Sequence, residues 1–334
     1  MKRHVYICTC LVFLLTSTFL NTQTNATPAD VEVAADCVPF NSRPVRHPID
    51  TSCGLEGNAP ATKPMGQEQN RRKNNLCATG TLTNVSLDTL GRLHQAVVTA
   101  HGFSFGSDSA LNQNTSRGAL ERIQTLDAHG RRVVLGEGKV VRLQAFVLEA
   151  KHDDIPLLDR RFRGEGVNCK DLTPEGNDIH IALVESADLV ERFRGGDRRV
   201  ECGSVTAEII PHLRPATWNR FDSHPRTSPD PSINGLPVQG LEVRLTGQLF
   251  FDASHDPANC KAPRRRSSWE IHPVYTIEVK DGNNFISFDE WASRQTEPER
   301  NIRPVRGGTR VTRAPMGRGG RRLPVNPRSR RPGA

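Results

Sequence analysis

Aromatic residues are scarce in this chain of 334 residues, which contains two tyrosines and three tryptophans. Proteins that bind single strands or sugars through an extended stacking surface need more exposed rings than this. The sequence also lacks a His-Glu-x-x-His pair, a Walker-type phosphate loop and the Cys-x-x-Cys spacing of zinc ribbons. The sequence therefore does not indicate a metalloprotease, a nucleoside triphosphatase or a zinc-ribbon protein of the kinds that carry these motifs.

Long apolar runs are also few, and the main one lies at the N-terminus, from Val5 to Leu20. A basic start at residues 2–4 precedes it, and residues 25–26 form a candidate cleavage site. We predict that residues 1–26 are a secretory signal peptide and that no membrane span remains after cleavage. The alternative is an uncleaved N-terminal anchor, which would need about 20 apolar residues to cross a bilayer.

Cysteine usage points to an oxidising compartment, so we expect a secreted or periplasmic protein. Beyond the predicted leader there is an even number of cysteines, which is typical of disulfides in an exported chain. A thiolate metal site is the alternative, although zinc sites usually contain a Cys-x-x-Cys pair. A bond between Cys169 and Cys202 would join the loops that flank one predicted strand. The disulfide candidates are Cys37, Cys53, Cys77, Cys169, Cys202 and Cys260.

Positive charge is concentrated at the C-terminus and does not describe the whole chain. Residues 301–334 contain ten arginines and no acidic residue. Residues 27–300 hold 33 of the 45 basic residues and all 37 acidic ones, a net charge of −4. The Arg/Gly/Pro-rich tail is predicted to be disordered and to attract a polyanion such as an oligosaccharide, a nucleic acid or an envelope polymer. Alternatively, it is a spacer without a specific partner.

Residues 27–135 are predicted to form a cysteine-containing region of loops and short helices. The polar stretch Gln67 to Cys77 resembles a loop. Leucines and valines at helical spacing predict a helix from Ser86 to His101, with Ser86 as its N-cap. A second short helix is expected from Arg117 to Leu126.

From residue 136 to about 300 the apolar residues alternate with a period of two, which predicts a mainly β domain. Its five candidate strands read KVVRLQAFVLEA, DIHIAL, SVTAEII, EVRLTGQLFFDA and WEIHPVYTIEV. Gly247 in the fourth run is placed where a small barrel often bends sharply. A proline-rich crossover separates the third and fourth runs, and Phe285 to Ser293 is predicted to form a closing helix.

This order of strands resembles the OB-fold, a five-stranded Greek-key barrel. The resemblance covers residues 136 to 280 and rests on pattern and strand order. The proline-rich crossover departs from the helix that OB-folds usually place between the third and fourth strands. The alternative architecture is a β-sandwich.

Acidic and histidine side chains share the polar sides of three of these strands. We call Asp178, His180, Glu208, Glu270 and His272 the acid-histidine patch. In an OB-like barrel the second, third and fifth strands can lie side by side, which would bring the patch together. Carboxylates and imidazoles in such a group can bind a divalent metal or act as base and acid. The alternative is that they are exposed cross-strand pairs, which stabilise a sheet by about 0.2–1 kcal/mol.

A basic cluster in the loop before the fifth strand provides a second candidate site. In OB-folds this loop borders the ligand-binding face, so the cluster could contact phosphate or sulfate groups, with Trp269 adding stacking. The alternative is a solvated loop. The candidate binding residues are Arg264, Arg265, Arg266 and Trp269.

Two functions are compatible with these patterns. The first is a secreted, disulfide-stabilised binding module whose basic tail attracts polyanions. The second is a metal-dependent hydrolase, of the nuclease or phosphoesterase type, that uses the acid-histidine patch and a divalent metal. Convergence of the patch residues is the observation that favours the metal site.

Overall fold

The computed structural model describes residues 40, 43–78, 80–101, 117–152, 164–224, 234–255, 257, 260 and 264–296. The predicted signal peptide, Cys37 and the basic tail lie outside this range. One compact unit extends to Gln295, and a second unit begins at Thr296. None of the described helices combines the length and apolar character that crossing a bilayer requires. The helices are α1 (Ile49–Ser52), α2 (Pro64–Lys73), α3 (Leu87–His101), α4 (Ala187–Arg194) and α5 (Phe288–Thr296).

A closed five-stranded barrel forms the centre of the first unit. Neighbouring strands follow the order β4-β5-β6-β8-β7, and pairing of β4 with β7 closes the ring. All these pairs are antiparallel except β6 and β8, which are parallel. Closure shows that the β-sandwich alternative was wrong. The strands are β1 (Thr83–Val85), β2 (Ile123–Leu126), β3 (Arg132–Leu135), β4 (Val140–His152), β5 (Ile179–Val184), β6 (Val205–Ile209), β7 (Glu242–Phe251), β8 (Trp269–Asp281) and β9 (Asn284–Ser287).

Alternate side chains of the barrel strands fill its interior, as the period of two predicts. Ile179, Ile181 and Leu183 of β5 are fully buried in the core. Gly247 lies where β7 and β8 approach closely, and a β-carbon there would collide with the carbonyl oxygen of Pro273. The register of the two strands also shifts at this glycine, so the barrel needs a residue without a side chain at this point.

The N-terminal region packs on the barrel, and helix α3 confirms the sequence prediction. The Oγ of Ser86 accepts a hydrogen bond from the backbone N–H of Thr89 at 3.1 Å, which caps the helix. Leu90 and Leu93 on its apolar stripe are fully buried. Elsewhere in this region two predictions were wrong.

The first error concerns the polar stretch Gln67 to Cys77, most of which belongs to helix α2. Pro64 occupies the first turn of this helix, a position that suits proline, and Arg72 pairs with Glu68 one turn earlier. Such a polar helix carries no apolar periodicity that the sequence could reveal.

The second error concerns Arg117 to Leu126, where a helix was expected. Arg117 to Leu120 form a 3-10 turn, and β2 then pairs with β3 in an antiparallel hairpin. Across this hairpin Ile123 faces Leu135, so the apolar residues follow the period of a strand.

The described cysteines confirm a disulfide-stabilised module but not the pairing that we suggested. Cys53 is bonded to Cys169, and Cys202 is bonded to Cys260. The bond that we considered between Cys169 and Cys202 is therefore absent. Cys77 is also disulfide-bonded. The first bond ties the end of α1 to the loop before β5, and the second ties the approach to β6 to the loop before β8.

Candidate metal centre

The acid-histidine patch converges on the outer face of the barrel. His180 of β5 lies directly opposite Glu208 of β6, and the parallel pairing of β6 with β8 places Glu270 and His272 beside them. The Nδ1 atom of His272 is 2.7 Å from Glu208 Oε2 and 3.5 Å from Glu270 Oε1. His180 Nε2 is 3.5 Å from Glu208 Oε1. Three neighbouring strands thus bring together four residues from distant parts of the chain.

Asp178, the fifth residue of the patch, precedes β5 and is completely buried. Neither of its carboxylate oxygens has a hydrogen-bond partner among the described residues. Together with Glu208 and His272 it offers three ligand atoms that lie within 4.8 Å of one another. A buried carboxylate without hydrogen bonds is costly, and a cation held by these three residues would offset that cost.

Residues that the sequence analysis did not single out cover this group. The ammonium of Lys73, at the end of α2, is 4.0 Å from Glu208 Oε2 and lies 5.9 Å from the centre of the Phe250 ring. Glu165 forms a second group of potential ligands with Asp178 and His180. In the sequence, only the nearby Cys169 could have drawn attention to Glu165, because the disulfide of Cys169 holds the loop that contains Glu165.

A hydrogen-bonded glutamine fixes the end of helix α2 to the barrel. The side chain of Gln248 on β7 donates to the carbonyl oxygens of Arg72 at 2.7 Å and His272 at 2.9 Å. Its own amide oxygen accepts a hydrogen bond from Asn75 at 2.6 Å. The end of α2 is therefore held at a defined distance above β7 and β8.

In Glu208 and His272 the charges of neighbouring groups together outweigh the effect of burial on the pKa. Burial acts to raise the pKa of Glu208, but His180, His272 and Lys73 outweigh it and hold the pKa well below its usual value. Burial likewise acts to lower the pKa of His272, yet Glu208 and Glu270 raise it to about 10. Glu208 is thus a carboxylate that compensates positive groups at neutral pH.

Two other carboxyl groups have raised pKa values, chiefly because they are buried. Burial raises the pKa of Glu165 well above its usual value, and the charges of Asp178 and Glu208 raise it further. The pKa of Glu270 is raised by burial and by Glu208. Carboxyl groups crowded in this way favour a cation.

The three arginines of the predicted basic cluster separate into different environments. Arg265 is buried and holds Asp252 Oδ2 at 2.6 Å and Glu270 Oε2 at 2.9 Å. Arg264 is exposed and pairs with Glu201 at 3.1 Å. Arg265 therefore supports the carboxylate beside His272 and does not face solvent.

Arg266 and Trp269 also have partners within the protein. Arg266 pairs with Asp88 at 2.7 Å. Trp269 is fully buried in the barrel core, where its ring lies 5.2 Å from that of Phe251 in an edge-to-face arrangement. Contrary to our suggestion, Trp269 has no exposed ring on which a ligand could stack, because its side chain points inward from β8.

A cleft of about 620 Å³ lies beside the patch, over strands β5 and β6. His180 lines it and also belongs to the metal-ligand groups. Lys151 and Arg264 contribute positive charge to its walls, and Glu149 and Glu201 contribute negative charge. The buried patch thus reaches an open surface through His180.

One motif was overlooked in the sequence. Residues 102–106 read Gly-Phe-Ser-Phe-Gly, which matches the Gly-x-Ser-x-Gly pattern of serine hydrolases. That motif follows a strand in such enzymes, whereas this one follows helix α3. Residues 102–106 lie outside the described range, and their context does not indicate a nucleophilic serine.

Comparisons with family models, curated proteins and solved structures give no match to this chain. No family is therefore assigned.

Proposed function

We propose that this protein is a disulfide-stabilised barrel module that binds a divalent metal through Asp178, Glu208 and His272. The observation that carries the proposal is the complete burial of Asp178, whose two oxygens lack hydrogen bonds within the described residues. Two carboxylates and one imidazole are a ligand set that zinc and manganese accept. Glu270 lies 3.5 Å from His272 Nδ1, where it could orient the imidazole for coordination.

The proposal predicts metal binding that depends on Asp178. Chelator-stripped protein titrated with Zn²⁺ or Mn²⁺ should release binding heat, and free metal at 100 times Kd should stabilise it by about 2.7 kcal/mol. Asp178→Asn should abolish both effects, and Asp188→Asn on the exposed start of α4 should abolish neither. Absence of binding heat from the wild-type protein, or equal heat from Asp178→Asn, would refute the metal centre.

The barrel is proposed to be of the OB type. Supporting this, the third barrel strand, β6, lies beside the fifth, β8, and a long crossover joins β6 to β7. The cleft covers the second and third barrel strands and reaches the loop before the fifth, where OB-folds bind their ligands. An experimental structure in which the strands did not follow the Greek-key path of the OB-fold would exclude this assignment.

Hydrolysis is the second candidate function, favoured by the position of His180 between the ligand groups and the cleft. In this reaction, the oxygen of a water bonds to phosphorus, the bond from phosphorus to the leaving oxygen breaks, and the leaving oxygen takes a proton from the water. A metal would assist by polarising the water and the phosphate. If metal-loaded protein does not cleave bis(4-nitrophenyl) phosphate faster than Asp178→Asn, the protein binds metal without this activity.

The basic tail is proposed to bind polyanions independently of the metal. Its ten arginines and lack of acidic residues support this. Deleting residues 301–334 should lower the salt concentration at which the protein elutes from heparin, because fewer counterions are released on binding. Neutralising the exposed Arg264 alone should change that concentration much less. Unchanged elution after the deletion would identify the tail as a spacer.

A further inference from the structure

We propose that the metal centre is dinuclear, with Asp178 bridging an inner ion and an outer ion. The inner ion would be held by Asp178, Glu208 and His272, and the outer ion by Glu165, Asp178 and His180. This inference rests on the proposed metal-binding function and deepens it. It assigns a second ion and the class of molecule that this ion would bind, namely an anion in the cleft.

The two groups of ligands share Asp178 and differ in their other members. Ligand atoms within each group lie within 4.8 Å of one another. Glu165 belongs only to one group, and Glu208 and His272 belong only to the other. A single ion would occupy only one of the two groups of ligands. Two ions about 3.5–4 Å apart, as in two-metal hydrolytic sites, would use both.

Asp178 has the burial and the vacant acceptors that a bridge requires. Its side chain is completely buried, and both of its oxygens lack hydrogen-bond donors among the described residues. A carboxylate that binds one ion through one oxygen leaves the other oxygen without a partner. A bridging carboxylate gives one oxygen to each ion, which accounts for both vacant acceptors.

The two ions would differ in their access to solvent. Asp178, Glu208 and His272 are all buried, so the inner ion would be enclosed. Glu165 and His180 are partly exposed, and His180 lines the cleft. The outer ion would therefore keep positions for water and for an anionic oxygen of a molecule in the cleft.

The outer group also carries negative charge of its own. It contains the carboxyl groups of Glu165 and Asp178, whereas the ammonium of Lys73 lies 4.0 Å from Glu208 of the inner group. A divalent outer ion would be held by these two carboxyl groups and the imidazole of His180.

Metal stoichiometry tests the inference separately from the proposed function. Protein saturated with Mn²⁺ and freed of excess should retain two ions per chain, and its electron paramagnetic resonance spectrum should show magnetic coupling. Glu165→Gln, a conservative change at a partly exposed side chain, should retain one uncoupled ion. It should also bind inorganic phosphate at least tenfold more weakly than the loaded wild-type protein.

Each outcome has a distinct meaning. Two coupled ions in the wild-type protein and one in Glu165→Gln would support the bridge. One ion in both proteins would overturn the dinuclear centre and leave the inner site intact. No retained ion in the wild-type protein would overturn the metal-binding function itself. Circular dichroism of Glu165→Gln confirms that the variant is folded, and His180→Ala provides a second variant at the outer site.

Discussion

Replacing Glu208 with glutamine is expected to lower the free energy of unfolding of the metal-free protein by about 3–5 kcal/mol, the usual cost of leaving a buried charge without its partner. Glu208 is 3% exposed and lies 2.7 Å from His272 Nδ1. The ammonium of Lys73 is also within 4.0 Å. Glutamine keeps the volume of the side chain but removes the negative charge that compensates these two groups.

Asp178→Asn provides a matched comparison, since Asp178 is equally buried and belongs to the same ligand group. Asp178→Asn breaks no hydrogen bond to a described residue and removes a buried charge that is costly without donors, so the free energy of unfolding without metal should not fall. Urea denaturation of both variants in chelator measures the difference. Equal losses would mean that Asp178 is an ordinary structural carboxylate, contrary to the role proposed for it.

Alternation of apolar residues allowed most of the barrel to be predicted. The run DIHIAL anticipated β5, with Ile179 and Ile181 inward and His180 outward. Because neighbouring barrel strands hold outward residues side by side, the repeated acid-x-His pattern also located four members of the patch. Local periodicity was sufficient here, since both the strand and the facing of its side chains depend on it.

Periodicity does not reveal what covers an outward face. Glu270 and His272 point away from the core, yet both are fully buried because a polar helix lies over them. That helix brings Lys73, and a loop far along the chain brings Glu165, neither of which has a pattern that indicates a site. Trp269 illustrates the converse, since its position in the alternation already placed it inward and conflicted with a stacking role.

Disulfide connectivity is the other feature that sequence could not supply. Cys53 and Cys169 are 116 residues apart, and only the folded chain brings the end of α1 to the loop before β5. That loop also contains Glu165. The cross-link is therefore placed to hold both the end of α1 and a proposed metal ligand against the barrel.

Removing this disulfide with Cys53→Ser and Cys169→Ser is expected to lower the free energy of unfolding by about 3–5 kcal/mol, because a bond that closes a loop of this length restricts the unfolded chain strongly. Release of the loop should also weaken the outer metal site more than the inner one, because Glu165 would lose its anchor while Glu208 and His272 remain on strands. Denaturation in urea and metal content per chain measure the two effects on the same sample.

The bond between Cys202 and Cys260 offers a control within the same chain. It spans 58 residues, so in the chain-entropy model its removal costs only about 0.6 kcal/mol less. It does not hold the loop that contains Glu165. The double variant Cys202→Ser and Cys260→Ser should thus lose comparable stability yet retain the full metal content. Equal loss of metal from both variants would show that general destabilisation, and not the position of Glu165, controls occupancy of the outer site.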